Sequence, residues 1–275
     1  MTAVSLGHHD WHSFITEAAK RSHTDPVRGG GRQSIDTSDV RWSGTPSLQH
    51  AVDMALKGWQ EGAKQIAKTL DTLPPSAEVL PDWQLDVAGA MCNVPAFLTG
   101  EPECMWRISE CKRDEHRVTL IVPGSYPGSV RAEHAQNYAV AAAAVVRSLE
   151  ASGINPAVYT LSKTQWSSDI FIHSIAVREF GEPLDLARVA FAFHPSFLRR
   201  VEFAWRELNE VAAKGGISDG GYGMANHPSA DDIQQLLGDV GHVVVAPPVA
   251  DLPSNLSLAI EAMREAVTTQ LQKLV

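Results

Sequence analysis

The stretch from Arg117 to Gly153 constrains the fold more than any other: RVTLIVPGSYPGSV, then RAEHAQNYAVAAAAVVRSLEASG. Val118 to Val122 is a short, nearly continuous apolar run rich in β-branched residues and stopped by Pro123 and Gly124. That is the pattern of a strand buried on both faces, as in a parallel sheet. A loop of glycine, proline and serine follows, then an Ala-rich helical segment closed by Gly153 as its C′ residue. Strand, small-residue loop and helix make the first half of a crossover unit. The loop after such a strand is the edge at which α/β proteins usually bind.

Around this unit the same periodicities supply further elements. PAVYTL at 156–161 and DIFIHSIAV at 169–177 read as two strands, either a hairpin or side-by-side neighbours. HVVVA at 242–246 reads as a second fully apolar strand, ended by Pro247-Pro248. Helices are expected over 186–193, over SFLRRVEFAWRELNEVAAK from Ser196, over 230–237, and over 257–274. In the second of these, Phe197, Val201, Ala204, Trp205 and Leu208 share one face.

Towards the N-terminus, residues 8–21 read as a short amphipathic helix with Trp11, Phe14, Ile15 and Ala18 on one side. Residues 22–44 read as a polar, glycine-rich connector. A helix from 42 to 73 takes Thr45 or Ser47 as its cap and is weakened or broken at Gly58 and Gly62. Residues 83–108 read as extended, with an edge-type strand and a turn through Gly100 to Pro102. The fold expected is an α/β three-layer sandwich, with helices on both faces of a mostly parallel sheet over 113–275. A mixed helical and extended region, 1–112, is packed on it or linked to it.

Composition excludes several function classes. The 275 residues carry 23 Lys+Arg against 32 Asp+Glu, a net charge of −9, so nonspecific binding to nucleic-acid phosphates is not expected. No run has the length of a membrane span, and MTAVSLGHHDWHSF lacks a signal peptide's basic start and apolar core. Three cysteines, Cys92, Cys104 and Cys111, with no CxxC pair, fit reduced thiols in a cytoplasm. Their spacing matches no zinc pattern, and His8 with His12 offers only an i, i+4 pair near a terminus.

The central loop matches no familiar reactive motif. A G-x-S-x-G elbow needs glycine on both sides of its serine. Ser125 instead lies between Pro123 and Pro127, and Ser129 between Pro127 and Arg131. His173, His194, His227 and His242 are available as bases, with Asp231 and Asp232 following His227, but sequence does not bring them to a serine. Neither common phosphate-binding glycine motif is present, although Arg131 adds positive charge at a helix start. His194, Ser196, Arg199 and Arg200 make a compact polar group, with the arginines read as surface or interface ion pairs. Tyr222, between two glycines, and His227 sit in a long glycine-rich loop of the kind that carries contacts.

Three blocks, W-x-G-T from Trp42, GEPECMW from Gly100 and HPSFLRR from His194, together with the strand–GSYPGS loop–helix unit, resemble an uncharacterised family of von Willebrand factor A-like proteins common in bacteriophages and actinobacteria. The resemblance implies a Rossmann-like sandwich and, in true A domains, a Mg²⁺ site built from an Asp-x-Ser-x-Ser loop, a Thr and a further Asp. This chain departs from that set. If Ser125 is the first serine, Pro123 stands at the Asp position and Pro127 at the second serine. Sliding by two residues keeps only Ser129. Pro183 stands where a Thr is expected, although Asp185 is near, and no Asp follows the last strand until Asp251.

The expectation is therefore a non-enzymatic interaction or assembly protein on a degenerate A-type domain, with no metal, cofactor or catalytic residue. Its partner would be a protein, an AAA+ ATPase or a larger assembly by the resemblance. The partner would be held by the loops 123–131, 178–185 and 214–229 through Ser125, Tyr126, Ser129, Arg131, Asp185, His194, Arg199, Tyr222 and His227. The alternative is a metal-independent enzyme or a small-molecule or anion binder using the same cleft with His173, His194 or His227.

Overall fold

A computed structural model describes residues 4–21, 39–70, 83–89, 91–108, 117–166, 169–209 and 228–273. Strand β5, Val118–Pro123, is buried along its whole length, as its apolar run requires. It lies second from the edge of a five-stranded sheet. On one side it pairs in parallel with β6, Ala157–Trp166, and on the other with β8, His242–Val245. The crossover is α6, Ala132–Ala151, whose alanine and valine side chains are almost all buried. α6 packs against α10, Leu256–Gln272, and against α4 and α7, Gln60–Leu70 and Leu186–Ala192.

β6 and β7, Asp169–Arg178, form a long antiparallel hairpin, with Leu161 opposite Ser174 and Ser162 opposite His173. β1, Val4–Asp10, then adds in parallel to β7, with Gly7 opposite His173. The order is β1-β7-β6-β5-β8. The sheet is thus mixed: β5, β6 and β8 run one way, β7 and β1 the other.

One difference from the sequence reading follows from long-range pairing, while the expected break at Gly58 is present. Residues 8–10 belong to a strand, and the N-terminal helix α1 covers only Trp11–Ala18. The Asp10 carboxylate accepts the Ser13 N–H and starts the helix there. His8 therefore turns to Ser174 on the sheet, and the i, i+4 pair with His12 does not form. Gly58 ends α3, Leu48–Lys57, at a φ of 77°, because the chain crosses α7 there: the Trp59 N–H donates to the Ala187 carbonyl at 2.9 Å. Ser47, one of the two expected caps, accepts the His50 N–H.

The two sheet faces are covered unequally. One face carries Leu120, Val122, Val158, Phe171, Ile175 and Val244 under α1, α3, α6, α7, α8 and α10. Here α8 is Phe203–Leu208, and a π-helix over Phe197–Glu202 precedes it. The opposite face carries Ile121, Tyr159, Leu161, Ile172 and Ala176 and packs against Ile233 of α9, Ala230–Leu237. Phe14 and Ile15 of α1 are fully buried; each large apolar side chain so removed from water contributes about 1.5–3 kcal/mol.

The outer edge of β8 is closed by a side chain. The Val245 N–H donates to Gln270 Oε1 at 3.0 Å, and Gln270 Nε2 donates to the Val245 carbonyl at 2.8 Å. A separate three-stranded antiparallel sheet joins β2, Trp83–Asp86, β4, Met105–Ile108, and β3, Met91–Cys92. A one-turn helix α5, Val94–Leu98, follows β3.

A Cβ at Gly58 would stand 2.5 Å from the Ala187 Cβ, at a φ that side chains avoid. Gly58→Ala is expected to destabilise the fold by about 1–3 kcal/mol, the usual cost of a strained left-handed residue. Urea unfolding should show a lower midpoint at unchanged slope.

Candidate functional site

Two of the three sequence blocks meet at the loop after β5. The WSGT block forms α2, Val40–Ser43, and turns at Gly44 with a φ of 84°. A side chain on Gly44 would strike Pro195 Cγ at 2.8 Å and His194 Cε1 at 2.9 Å, so the turn seats directly on the HPSFLRR block. Ser196 Oγ donates to the Ser43 carbonyl at 2.7 Å. The Arg200 guanidinium donates to Ser43 Oγ at 3.0 Å and to the Thr45 carbonyl at 2.8 Å.

Arg199 completes the junction. Its guanidinium lies between the rings of Trp42 and Tyr126, 4.7 and 4.9 Å from their centroids. It donates to the carbonyls of Trp42 and Val130, the second at 2.7 Å. Trp42 Nε1 donates to the Gly128 carbonyl at 3.1 Å. The loop carbonyls are thus bound by one arginine and one tryptophan. Arg199 and Arg200, read from sequence as surface or interface ion pairs, are instead buried internal clamps.

They can point inwards because the helix start is a π-helix. All six residues Phe197–Glu202 are buried, so there is no solvent face for a charged residue to take. Glu202 is enclosed with Arg206, His173 and Ser162. Arg206 donates to Glu202 Oε1, and His173 Nε2 lies 3.1 Å from the same oxygen. Burial alone would push the Glu202 carboxyl up, but Arg206, His173 and Ser162 hold it below its usual range. His173 is pushed down, chiefly by burial, against the opposing pull of Glu202. The surroundings thus favour the charged form of the carboxylate, and burial favours the neutral form of the imidazole.

Outside this junction lies an open cleft of about 620 Å³ between α2 and the first turns of α6, lined by Val40, Arg41, Arg131, Glu133 and Gln136. Arg41 and Arg131 are exposed, and among the described residues neither guanidinium has a carboxylate partner. Arg131 is the N-cap of α6 and gives the first turn no side-chain acceptor.

The expected contact residues divide accordingly. Ser129 and Arg131 are exposed, and Arg131 lines the cleft. Ser125, Tyr126, His194 and Arg199 are buried, with their side chains inside the junction rather than on a partner-facing surface. Ring nitrogens of His194 meet the Gln136 amide at 3.1 Å and the Ser196 N–H at 3.2 Å. Asp185 is exposed but lies at the other end of the sheet, where it caps α7 through the Arg188 N–H. Because β7 runs opposite to β5, the segment 178–185 emerges away from the loop 123–131. It lines a second, acidic cleft of about 310 Å³ with Asp10, Glu179 and Glu182. Tyr222 and His227, with most of the segment 214–229, fall outside the described residues.

The sequence reading missed Arg41, Gln136, Glu202 and Arg206. The i, i+4 spacing of Glu202 and Arg206, inside a segment with apolar residues on every side, was the available signal. Among the described residues, no group of three or more His, Cys, Asp or Glu side chains is placed to hold a metal ion, and no helix is long and apolar enough to cross a membrane.

Residues 4–239 match a protein family described as Domain of unknown function (DUF7192). The chain belongs to this family. The matched segment runs from β1 through α9 and so takes in both the junction and the Arg41–Arg131 cleft. No curated protein and no solved structure matches the chain.

Two outcomes test the junction. Arg199→Lys puts a single ammonium where a planar fork spans two carbonyls between two rings, and is expected to cost about 1–3 kcal/mol. Hydrogen exchange should then quicken in 123–131 more than in β5. The second test is pH. Burial pushes His194 down to about 3 and also lowers His173 and His9, while the unfolded imidazoles keep the ordinary value of 6.5. The unfolded chain thus binds more protons below pH 6.5, so stability is full above that value and is lost as pH falls through it. Each fully neutral histidine contributes a slope approaching about 1.4 kcal/mol per pH unit. Thermal melts between pH 7 and pH 5 should show a falling Tm, and His194→Gln should flatten the trend.

Proposed function

We propose that this chain is a non-enzymatic interaction or assembly protein, built on an A-type-like domain whose metal-binding loop lacks its carboxylate. It holds a protein partner in the cleft between α2 and α6, in a bacterial cytoplasm. An AAA+ ATPase is the partner class that the family resemblance implies. The A-type reading is supported by the run of buried strand, small-residue loop, long helix and hairpin, β5 to β7. Pro123 ends β5 at the point where a metal-binding loop would begin with Asp, and this is why the loop is read as lacking its carboxylate.

The observation that carries the interaction reading is the pair of exposed arginines, Arg41 and Arg131, on one cleft of a chain with net charge −9. Behind them, the loop is held rigidly by groups already used internally: Arg199 on two carbonyls, His194 on Gln136 and Ser196. A stiff rim backed by internal hydrogen bonds suits binding without rearrangement. Glu133 beside the arginines gives the rim both signs of charge, which fits a protein surface better than a lone inorganic anion. A small anion in the same cleft is the second reading, favoured by the α6 N-terminus that no side chain caps.

The test is capture of partners from the cells that make the protein, comparing wild type with Arg41→Glu/Arg131→Glu. The partner reading expects one protein to be retained by wild type and at least tenfold less by the variant, about 1.4 kcal/mol. Because both sites are exposed, the folding stability of the variant should stay within about 0.5 kcal/mol. Equal capture by both proteins overturns the assignment. A phosphate or carboxylate titration that perturbs the Ala132–Glu133 amides, without any captured protein, selects the anion reading.

A further inference from the structure

The three-stranded sheet carries an apolar surface that its own segment leaves open. Val94, Phe97 and Leu98 stand at i, i+3 and i+4 on α5 and are 57%, 62% and 77% exposed. Met91 on β3 is also 54% exposed, and among the described residues of this segment only Ala96 is buried. A contiguous aromatic and aliphatic surface of this kind marks a place where another surface packs. At its end is the turn Glu101-Pro102-Glu103, tied to α5 by the Glu101 N–H on the Ala96 carbonyl at 3.0 Å. Both glutamates are exposed, and among the described residues neither pairs with a cation. The surface is therefore apolar with an acidic tip.

Its complement is on the same chain. The α2–α6 cleft offers Arg41 and Arg131 without carboxylate partners, with the 47% exposed Val40 at its lip. We propose that the occupant of this cleft is a second copy of the chain, which inserts its Glu101–Glu103 turn between the arginines and lays Phe97 and Leu98 against the lip. The proposal rests on reading the cleft as a protein-binding site. The two surfaces are different regions of the chain, so the contact is heterologous, and a copy docked through one such contact leaves its own cleft free for the next. The glutamate–arginine pairs set register and salt dependence, and the apolar stripe supplies the area that a small anion lacks.

Sedimentation velocity of the full chain over a wide concentration range, at low and at high salt, tests this. Growth beyond a dimer, weakened by salt, is expected. Phe97→Asp, Glu101→Arg/Glu103→Arg and Arg41→Glu/Arg131→Glu should each weaken association at least tenfold. Mixing the two charge-reversed variants should restore it, which also shows that both are folded. A wild type that stays monomeric throughout overturns the proposal, as does association that ignores both charge reversals. If the wild type is monomeric while partner capture still depends on Arg41 and Arg131, the second copy is excluded and the cleft keeps its role. If it is monomeric and capture ignores them, both readings fall.

Discussion

The planar guanidinium of Arg199 is the contact on which the rest of this structure depends. Placed between Trp42 and Tyr126 and bonded to the carbonyls of Trp42 and Val130, it joins segments lying 42–45, 123–131 and 194–200 in the chain. A loop rich in glycine and proline has little to hold it in one shape. Here its carbonyls are given donors, and Arg200 does the same for the WSGT turn. Burying a guanidinium is expensive unless its donors are satisfied, so each partner depends on the others being in place. The cleft above the junction inherits its stiffness.

Strand direction then sorts the chemistry between the two ends of the sheet. The loops after β5 and β8 share one end, and Tyr138 of α6 holds the second of them by donating to the Pro247 carbonyl at 2.9 Å. The antiparallel β7 and its parallel neighbour β1 deliver Glu179, Asp185 and Asp10 to the other. α7 carries the chain back, so that His194 meets Gln136 on α6. The protein thus has a basic cleft at one end and an acidic one at the other, a separation set by a single hairpin.

Local elements were legible in the sequence wherever a residue type forces them. The buried run at 118–122, the Ala-rich helix closing before Gly153 and the cap at Ser47 need only near neighbours. Long-range pairing was not legible. The periodicity of Trp11, Phe14 and Ile15 extends back through His8 and His9, but pairing with β7 decides their state. The pattern sets Asp185 beside the loop 123–131 because a strand's pattern carries no direction. The sequence pattern puts Arg199 and Arg200 at a surface or interface because arginines are seldom buried without partners. Their partners are carbonyls, which every sequence contains and none displays. Of the residues that the pattern offers as a contact surface, Ser125, Tyr126, His194 and Arg199 therefore turn out to face inwards.

The amide of Gln270 has a consequence for the sheet as a whole. By accepting from the N–H and donating to the carbonyl of Val245, it presents β8 with the two bonds that one residue of a sixth strand would offer. A helix side chain thus ends the sheet without another strand being made. The same two bonds hold α10 in one axial position, because a shift of one residue would swing the amide away from the strand edge. The C-terminal helix is indexed to the sheet by a polar ratchet tooth, where apolar packing alone would tolerate sliding.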